Sequence, residues 1–337
     1  MPDAPRFRLH LDNVSSKHPV FHMTTAAVDT ALAGCPGAAD RLDIRIGWDG
    51  DGLADALPHT DMLVCARVPA IDLRRHATRL RCVHATGAGI DGMLPLDWLP
   101  DGACFTNSSG VHAAKAQEYA LMALLMLNSR LPQMVTRQRA ARWQQVFTPR
   151  AAGKTVVIVG YGDMGQAAGR AARSLGMRVV AVTRSGSTQA QSDGSLPDEV
   201  HAIDALDCVL PAADMLVLAM PLTPATHHLI DAARLARLRP GASVINVARA
   251  GVLDGGALRD ALSAGHLSGA VIDVFEQEPL PPDSPWWSTP NLIITPHSSS
   301  DDADRYIVDA LGIAIRNALA LLDGLPLTNV VDAGRGY

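Results

Sequence analysis

Residues 155–165 read Thr-Val-Val-Ile-Val-Gly-Tyr-Gly-Asp-Met-Gly, and this stretch decides the fold. The β-branched run is typical of a buried strand, it leads directly into Gly-x-Gly-x-x-Gly, and residues 166–175 are typical of a helix. In this setting Gly160 allows a tight turn, Gly162 lets the backbone approach a pyrophosphate, and Gly165 permits close helix–strand packing. The free N–H groups at the helix start can bind the phosphates, although a glycine-rich turn without a ligand is the plainer alternative. The cofactor-binding residues predicted here are Gly160, Tyr161, Gly162, Asp163, Met164 and Gly165.

The chain after this turn alternates between short apolar runs and segments that are mostly of helix length. Buried strands joined by such crossovers form a parallel sheet with helices on its faces. A short polar stretch, Ser185–Glu199, is predicted to be a loop. The predicted strands are Thr155–Val159, Arg178–Val182, Met215–Ala219, Ser243–Val247, Ala270–Val274 and Leu292–Thr295.

The first hundred residues show a separate and smaller pattern. Strand-like runs at 42–46, 62–66 and 80–84 lie between helical or turn-rich pieces, which predicts a small α/β unit. Residues 112–128 are a long apolar stretch without Pro or Gly, which predicts a helix buried on most sides at a junction between domains. A helical pattern at 301–322 then follows the last strand, and we expect it to pack back onto the first unit.

Composition excludes several classes of protein. The 337 residues exceed two domains of ~150 residues, and 48% hydrophobic with 19% charged residues is typical of a folded globular chain. The net charge of −5 and 4% aromatic residues argue against a nucleic-acid partner. The longest apolar run, Ala120–Leu127, is too short to cross a membrane, and the start at Met1–Asp3 lacks a secretory pattern. Five cysteines without a Cys-x-x-Cys pair predict free thiols, a cytoplasmic location and no metal site.

The position after the second strand of the sheet predicts which dinucleotide binds. NAD-binding folds commonly carry an acid there for the ribose hydroxyls, whereas this chain has Thr183, Arg184 and Ser185. A carboxylate about 4 Å from a 2′-phosphate would cost about 4 kcal/mol at an effective dielectric constant near 20, so its absence favours NADP. Arg184 can bind the phosphate, although a solvated loop arginine is the alternative. These three residues are therefore predicted to bind the cofactor, with NADP preferred over NAD.

Three polar side chains follow the fourth, fifth and sixth predicted strands: Arg249, Glu278 and His297. Ligands of doubly wound sheets bind outside the carboxyl ends of the strands, so these groups are expected to converge beside a nicotinamide. An arginine can hold and polarise a keto acid, and a histidine kept protonated by a carboxylate can donate the proton that the developing alkoxide needs. Singly, they also fit as a surface ion-pair partner, a solvated acid and a core histidine. Together they predict the catalytic residues of a keto-acid reductase.

At these residues the chain resembles the D-isomer-specific 2-hydroxyacid dehydrogenases. The resemblance covers most of residues 80–300. Besides the glycine turn, the matching residues are Thr106-Asn107-x-x-Gly110-Val111 before Glu118-Tyr119, Pro221-Leu222-Thr223-Pro224-x-Thr226, Asn246-Val247-Ala248-Arg249-Ala250-Gly251, Asp273-Val274-Phe275-x-x-Glu278-Pro279-Leu280, and Trp287-x-x-Pro290-Asn291 through Thr295-Pro296-His297.

The resemblance implies a role for each residue that matches. Arg249 looks like the substrate-binding arginine, Glu278 like the partner acid, His297 like the acid/base and Asp273 like the residue that holds the nicotinamide amide. Thr183 departs from the family's usual Asp, which supports NADP, and Ser298–Ser300 are more polar than the family's usual residues. The remaining cofactor residues implied are Pro221, Thr226, Val247 and Ala248.

The resemblance also places the substrate. The loop 86–91 is similar to the family's loop whose backbone N–H groups, at Ala88 and Gly89 here, grip the substrate carboxylate. Arg67 lies where the family lines the distal pocket and could bind a second anionic group of the substrate. A solvated loop arginine is an equally good interpretation of Arg67.

The fold implied is a two-domain α/β protein in which a Rossmann-type doubly wound parallel sheet is inserted into a smaller, flavodoxin-like substrate domain. The expected substrate domain is 1–104 and 296–337, and the dinucleotide-binding domain is 105–295. The family pairs subunits into homodimers through the cofactor domain. The predicted function is hydride transfer between NADP(H) and a short 2-keto or D-2-hydroxy acid such as glyoxylate or hydroxypyruvate. The alternative is a dinucleotide-sensing binding protein, similar to a co-repressor of the same fold, that turns over negligibly.

Overall fold

The structure is a computed structural model that describes residues 6–188, 196–332 and 334. The chain start at Met1–Asp3, used above to predict the lack of a secretory segment, and part of the loop predicted at 185–199 lie outside the described residues.

The chain divides into two compact units. The first consists of Met1–Val111 with Asp302–Tyr337, and the second is His112–Asp301. The second unit is therefore inserted, along the sequence, into the first. The boundaries predicted after residues 104 and 295 lie a few residues before the divisions after Val111 and Asp301, and they stay predictions.

Strands and helices alternate along both units. The strands are β1 (Phe7–Asn13), β2 (Leu42–Trp48), β3 (Met62–Cys65), β4 (Cys82–Ala85), β5 (Cys104–Thr106), β6 (Thr155–Val159), β7 (Arg178–Thr183), β8 (Glu199–Ala202), β9 (Met215–Leu218), β10 (Ser243–Asn246), β11 (Gly269–Ile272) and β12 (Leu292–Ile294). The α-helices are α1 (Thr25–Ala33), α2 (Ala38–Arg41), α3 (Leu53–Ala56), α4 (Leu73–His76), α5 (Ala113–Asn128), α6 (Leu131–Arg139), α7 (Asp163–Ser174), α8 (Leu206–Val209), α9 (Ala232–Arg237), α10 (Gly255–Ser263) and α11 (Tyr306–Asp323).

The second unit is built on a sheet of strand order β12-β11-β10-β9-β6-β7-β8, and every neighbouring pair is parallel. Helices α5 and α7 cover one face, where Leu124, Ala168 and Ile158 belong to one apolar cluster. Helices α8, α9 and α10 cover the other face in a second cluster. The order reverses between β6 and β9, and such switch points are where doubly wound sheets bind ligands. The predicted Rossmann-type sheet is confirmed.

All six predicted strands of this sheet are present, and the structure adds β8. This strand pairs with β7 at the edge of the sheet, and it occupies the end of the region predicted as a loop. Its sequence, Glu-Val-His-Ala, is exposed or half-buried throughout, so it lacks the apolar run that marks the buried strands. The loop prediction is wrong at Glu199, the first residue of β8.

The first unit has a parallel sheet of order β2-β1-β3-β4-β5, which is the flavodoxin-like order. Helices α1 and α11 pack on one face of it, so the predicted return of the chain end to the first unit is confirmed. β1 was not among the predicted strands, although Phe7, Leu9 and Leu11 alternate with polar residues as in a strand. Its polar residues His10, Asp12 and Asn13 are buried as well. The predicted flavodoxin-like α/β domain is confirmed.

Helix α5 spans the apolar stretch as predicted, but it is buried on fewer sides. Tyr119, Ala123 and Leu127 lie in the core beneath it, whereas Met122 is 37% and Leu125 is 42% exposed. The prediction of a helix buried on most sides is therefore wrong. Apolar residues of α5 also lie on a face that the described part of the chain leaves partly exposed. Within the described residues, no helix combines the length and the apolar character that a membrane span requires.

Candidate active site

The glycine turn lies between β6 and α7. Gly160 has φ +86°, and a Cβ there would lie 2.6 Å from the backbone nitrogen of Met220. A Cβ on Gly165 would overlap the carbonyl oxygen of Gly160, whereas Gly162 faces open space. Close packing therefore requires two of the glycines, and the third leaves room for a ligand against the backbone.

Helix α7 presents its N-terminus to this open space. It begins at Asp163, and within the described part of the chain no side chain caps its first turn. Tyr161 is buried and packs over Gly169, which holds the turn against the helix. Uncapped N–H groups beside an open glycine fit the pyrophosphate of a dinucleotide, since a helix N-terminus attracts anions.

The residues predicted to select the dinucleotide are the last residue of β7, Thr183, and the two that follow it. The Thr183 hydroxyl donates a hydrogen bond to the carbonyl of Ser187 at 3.0 Å, and the Ser185 and Ser187 hydroxyl oxygens are 2.8 Å apart. Arg184 and Ser185 are exposed. A hydroxyl and a guanidinium, rather than a carboxylate, therefore follow the end of this strand.

The loops after β9 and β10 contain the other predicted cofactor residues. The Thr226 hydroxyl donates to the carbonyl of Pro221 at 2.7 Å and closes the first loop. In the second loop the Val247 N–H donates to the carbonyl of Leu218 at 3.2 Å, and Ala248 is buried. The first loop leaves the sheet beside the glycine turn, because β9 is the neighbour of β6, and the second leaves one strand further along, at β10.

Arg249 is held at the end of β10 by Asn246. The Asn246 side chain accepts the N–H of Ala248 at 3.0 Å and donates to the carbonyl of Arg249 at 3.2 Å. The guanidinium itself is half-buried and donates to the carbonyl of Ala248 at 2.7 Å. One amide side chain thus fixes the backbone that carries the predicted substrate arginine.

Glu278 and His297 form a direct pair. The Oε2 atom of Glu278 lies 2.6 Å from Nδ1 of His297, and its Oε1 atom accepts the N–H of Phe275 at 2.8 Å. The two side chains are 34% and 47% exposed, so the pair is accessible to a substrate. Because Nδ1 faces the carboxylate, Nε2 is the ring nitrogen available to a reacting group.

Asp273 is almost fully buried at the end of β11. Its carboxylate accepts the Thr295 hydroxyl at 2.6 Å and the N–H groups of Ser298 at 3.1 Å and Ser299 at 3.2 Å. A carboxylate offers about four acceptor positions, so one position is left by this count. Asp273 therefore supports the turn that carries His297, and it can still accept one N–H from a ligand.

Strand register explains why these groups share one edge. β10, β11 and β12 are neighbours, with Asn246 opposite Ile272 and Ile272 opposite Ile294 at their carboxyl ends. The loops after these ends carry Arg249, Glu278 and His297.

The predicted substrate loop belongs to the first unit and follows β4. The Asn107 side chain donates to the carbonyl of Ala88 at 2.8 Å, and the Tyr306 hydroxyl donates to the carbonyl of Thr86 at 2.9 Å. These contacts fix the loop that contains Gly89. Arg67, after β3, is 57% exposed, and its guanidinium lies 3.9 Å from the carboxylate of Asp49.

Three polar residues of the site were given no role from the sequence: Asn246, Thr295 and Tyr119. Each lies in a segment that carries the family resemblance, which is the signal that could have singled them out. The Tyr119 hydroxyl is 2.7 Å from that of Thr295, and burial raises the pKa of Tyr119 above its usual range.

The buried histidine of β4 has a structural explanation. His84 is fully buried, with Thr106 Oγ1 2.8 Å from Nδ1 and Ser108 Oγ 3.1 Å from Nε2. Burial lowers the pKa of His84 to about 3, so the imidazole is neutral at physiological pH. Across the described ranges, no group of three or more His, Cys, Asp or Glu residues could hold a metal ion.

Comparison with known proteins agrees with this geometry. A family model described as the NAD binding domain of D-isomer specific 2-hydroxyacid dehydrogenase matches residues 121–299. The chain belongs to this family. The resemblance read from the sequence motifs is therefore confirmed.

Three similar proteins illustrate how far the family likeness extends. The glyoxylate/hydroxypyruvate reductase B of Pectobacterium carotovorum is 32% identical over 295 residues, which are 82% of this chain and 90% of that protein. A 2-hydroxyacid dehydrogenase of Xanthobacter autotrophicus, solved in complex with NADPH and MES, is 31% identical, has a TM-score of 0.83, and is matched over 99% of this chain and 100% of that one. The D-3-phosphoglycerate dehydrogenase of Mycobacterium bovis is 30% identical over 304 residues, which are 88% of this chain. The chain spans only 56% of that longer dehydrogenase.

Proposed function

We propose that this chain is an NADP(H)-linked reductase of short 2-keto acids, such as glyoxylate or hydroxypyruvate, and forms D-2-hydroxy acids. The observation that carries the proposal is the 2.6 Å contact between Glu278 and His297 on the sheet edge that also carries Arg249. A paired imidazole and carboxylate beside a guanidinium supply the proton and the anion-binding group that ketone reduction requires. Family membership supports the same reaction class.

The proposed mechanism divides the work among three side chains. When bound, NADPH supplies the hydride that adds to the carbonyl carbon of the substrate. Arg249 binds the substrate carboxylate or carbonyl oxygen and stabilises the negative charge that develops there. His297 donates the proton from Nε2 to the alkoxide oxygen, while Glu278 holds Nδ1–H and stabilises the imidazolium before transfer.

The cofactor is proposed to bind across the switch point of the sheet. Gly160 to Gly165 would hold the pyrophosphate at the α7 N-terminus, and the loops bearing Thr226 and Ala248 would line the path towards Arg249. The remaining acceptor position on the Asp273 carboxylate suits the carboxamide N–H of the nicotinamide. The open face of Gly162 and the uncapped first turn of α7 support this placement.

NADP is the proposed preference over NAD. A hydroxyl at Thr183 avoids the repulsion that a carboxylate would exert on a 2′-phosphate, and Arg184 and Ser185 offer donors directly after it. The similar Xanthobacter autotrophicus dehydrogenase was solved with NADPH, which supports this choice.

The substrate is proposed to be a short keto acid. The backbone N–H groups of Ala88 and Gly89 are candidates for binding its carboxylate, and Arg67 is a candidate for a second anionic group. The similarity to the Pectobacterium reductase supports glyoxylate or hydroxypyruvate.

We further propose a homodimer formed through the cofactor unit. The exposed apolar side chains Met122, Leu125 and Met134 lie on α5 and α6, and Trp143 (96% exposed) and Phe147 (86% exposed) follow in the next segment. Large apolar side chains left exposed on neighbouring segments of one unit favour a subunit interface there. The cytoplasmic location stays a prediction from the cysteine pattern.

The test is steady-state oxidation of NADPH and NADH with a panel of 2-keto acids. We expect turnover of short keto acids, with higher kcat/KM for NADPH. His297→Ala should lower kcat by a factor of roughly 10² to 10⁴ while the affinity for NADPH stays nearly the same. Tight NADPH binding without turnover would instead indicate the dinucleotide-sensing protein, and a full rate for His297→Ala would remove His297 from the mechanism.

A further inference from the structure

The turn that carries His297 has an unusual backbone conformation. His297 has φ +51°, in the left-handed region that few non-glycine residues adopt. This conformation is strained for an L-residue, so contacts from outside the turn must hold it.

Those contacts come from Asp273. Three consecutive N–H groups of the turn donate to this residue: His297 to its carbonyl oxygen at 2.9 Å, Ser298 to Oδ1 at 3.1 Å and Ser299 to Oδ2 at 3.2 Å. The Asp273 carboxylate thus accepts two of these three N–H groups, and its orientation helps to fix the turn that carries the imidazole.

The carboxylate is supported by two hydroxyl groups in series. The Thr295 hydroxyl donates its only proton to Oδ1 of Asp273 at 2.6 Å. Tyr119 must then be the donor in its 2.7 Å contact with Thr295, because the Thr295 oxygen can only accept there. Burial and the nearby Asp273 charge raise the pKa of Tyr119, which keeps this donor protonated across the pH range of an enzyme assay.

Tyr119 is well placed to act as a fixed support. It is 8% exposed and lies on α5, a helix of 16 residues whose buried face belongs to the apolar cluster over β6 and its neighbours. The hydroxyl thus projects from a packed helix to the end of the sheet. A phenylalanine would fill the same space, so the hydroxyl serves the Thr295–Asp273 pair rather than the core.

We infer that Tyr119 is a positioning residue for His297: through Thr295 and Asp273 it fixes the turn that presents the imidazole to Glu278 and to the substrate. The inference rests on the proposed function, because it assigns Tyr119 a task only if His297 is the acid/base group. It adds α5, an element distant in sequence, to the machinery that holds the proton donor.

The experiment compares Tyr119→Phe, Thr295→Val and the double variant. One lost buried hydrogen bond is worth about 1 kcal/mol, which corresponds to about a fivefold fall in kcat for Tyr119→Phe. Because both hydroxyls act in one series, the double variant should be no slower than Thr295→Val alone. Thr295→Ser keeps the hydroxyl and should restore most of the rate.

A second measurement does not depend on turnover. The imidazole of His297, assigned by its loss in His297→Ala, is titrated by NMR in the wild-type protein and in Tyr119→Phe. A loosened contact with Glu278 stabilises the imidazolium less, so the titration midpoint should move to lower pH. Tyr306→Phe is the matched control, since it removes an equally buried hydroxyl whose partner, the carbonyl of Thr86, belongs to the first unit.

The outcomes separate the inference from the proposed function. An unmoved midpoint in Tyr119→Phe, or fully additive losses in the double variant, would overturn the positioning role. If the midpoint shifts in Tyr119→Phe but the wild-type protein reduces no keto acid, the positioning of the ring is supported and the proposed function is overturned.

Discussion

Replacing Glu278 by glutamine tests the proposed proton donor most directly. The amide has nearly the shape of the carboxylate, and its oxygen can still accept the N–H of Phe275, which Glu278 Oε1 accepts at 2.8 Å. The charge 2.6 Å from Nδ1 of His297 is removed, and the amide N–H₂ favours a neutral imidazole that accepts at Nδ1. Reduction needs the protonated imidazole, so the variant should work only at lower pH.

The size of the effect follows from the distance and the exposure of the pair. Two unit charges 2.6 Å apart attract by roughly 1.6 kcal/mol in water and several times more in a buried site. The two side chains are 34% and 47% exposed, so we take the lower figure and discount it further for screening, to about 1 kcal/mol. At 1.36 kcal/mol per pH unit, the reduction profile should move by somewhat less than one unit.

The assay is kcat/KM for keto-acid reduction against pH, with NADPH saturating. The midpoint of the alkaline limb should shift to lower pH in Glu278→Gln, and the midpoint for oxidation of the hydroxy acid should shift in the same direction. Glu276→Gln, on the neighbouring exposed acid, is the control for a general change in surface charge. A profile that keeps its midpoint in Glu278→Gln would refute the claim that this carboxylate stabilises the imidazolium.

Three further predictions concern the cofactor, the substrate and stability. Thr183→Asp should lower kcat/KM for NADPH by between about fivefold and several hundredfold, since a like charge at ~4 Å costs about 1–4 kcal/mol depending on the local dielectric constant; an undiminished NADPH preference would place the 2′-phosphate elsewhere. Arg67→Ala should raise KM about fivefold for dianionic keto acids and leave glyoxylate unaffected, because an exposed charge contact contributes up to about 1 kcal/mol; equal effects on both substrates would contradict the role. Burial lowers the pKa of His84 to about 3, so between pH 6.5 and 3 only the unfolded chain gains a proton at this residue. The free energy of unfolding therefore decreases as the pH is lowered through this range. Urea unfolding should therefore show a loss of roughly 2 kcal/mol from this group between pH 7.5 and 5, and a His84→Gln variant with the same pH dependence as the wild type would show that other groups cause it.

Much of the fold could be predicted because its strands are buried on both faces. The apolar run in β6 and the five similar runs after it are strands of a parallel sheet, which helices cover on both faces. Hydropathy alone therefore predicts these strands. β8 was not predicted because it is an edge strand whose residues are exposed or half-buried. β1 was not predicted either, although Phe7, Leu9 and Leu11 alternate with polar residues, and the burial of those polar residues, such as His10, could be seen only in the structure. Hydropathy reports burial of apolar groups, so it gives no indication of the exposed edge strand β8.

The candidate site was predictable to the extent that its residues follow strand ends. Arg249, Glu278 and His297 could be chosen because the carboxyl ends of parallel strands share one edge. The supporting residues could not be assigned roles in the same way. Tyr119 and Thr295 are separated by 176 positions along the chain, and only the packing of α5 on the sheet brings their hydroxyls together.

The amino-acid order by itself determined the class of fold, the place of the phosphate-binding turn and the chemical types of the reacting groups, since these depend on local patterns of burial, chain flexibility and charge. Only the tertiary structure decided which oxygen faces which nitrogen. Glu278 lies against Nδ1 of His297, and the Asp273 carboxylate accepts the N–H groups of Ser298 and Ser299 in the turn beyond it. Hydrogen bonds act over about 3 Å, and contacts at that distance between remote parts of a chain exist only once the whole unit has packed.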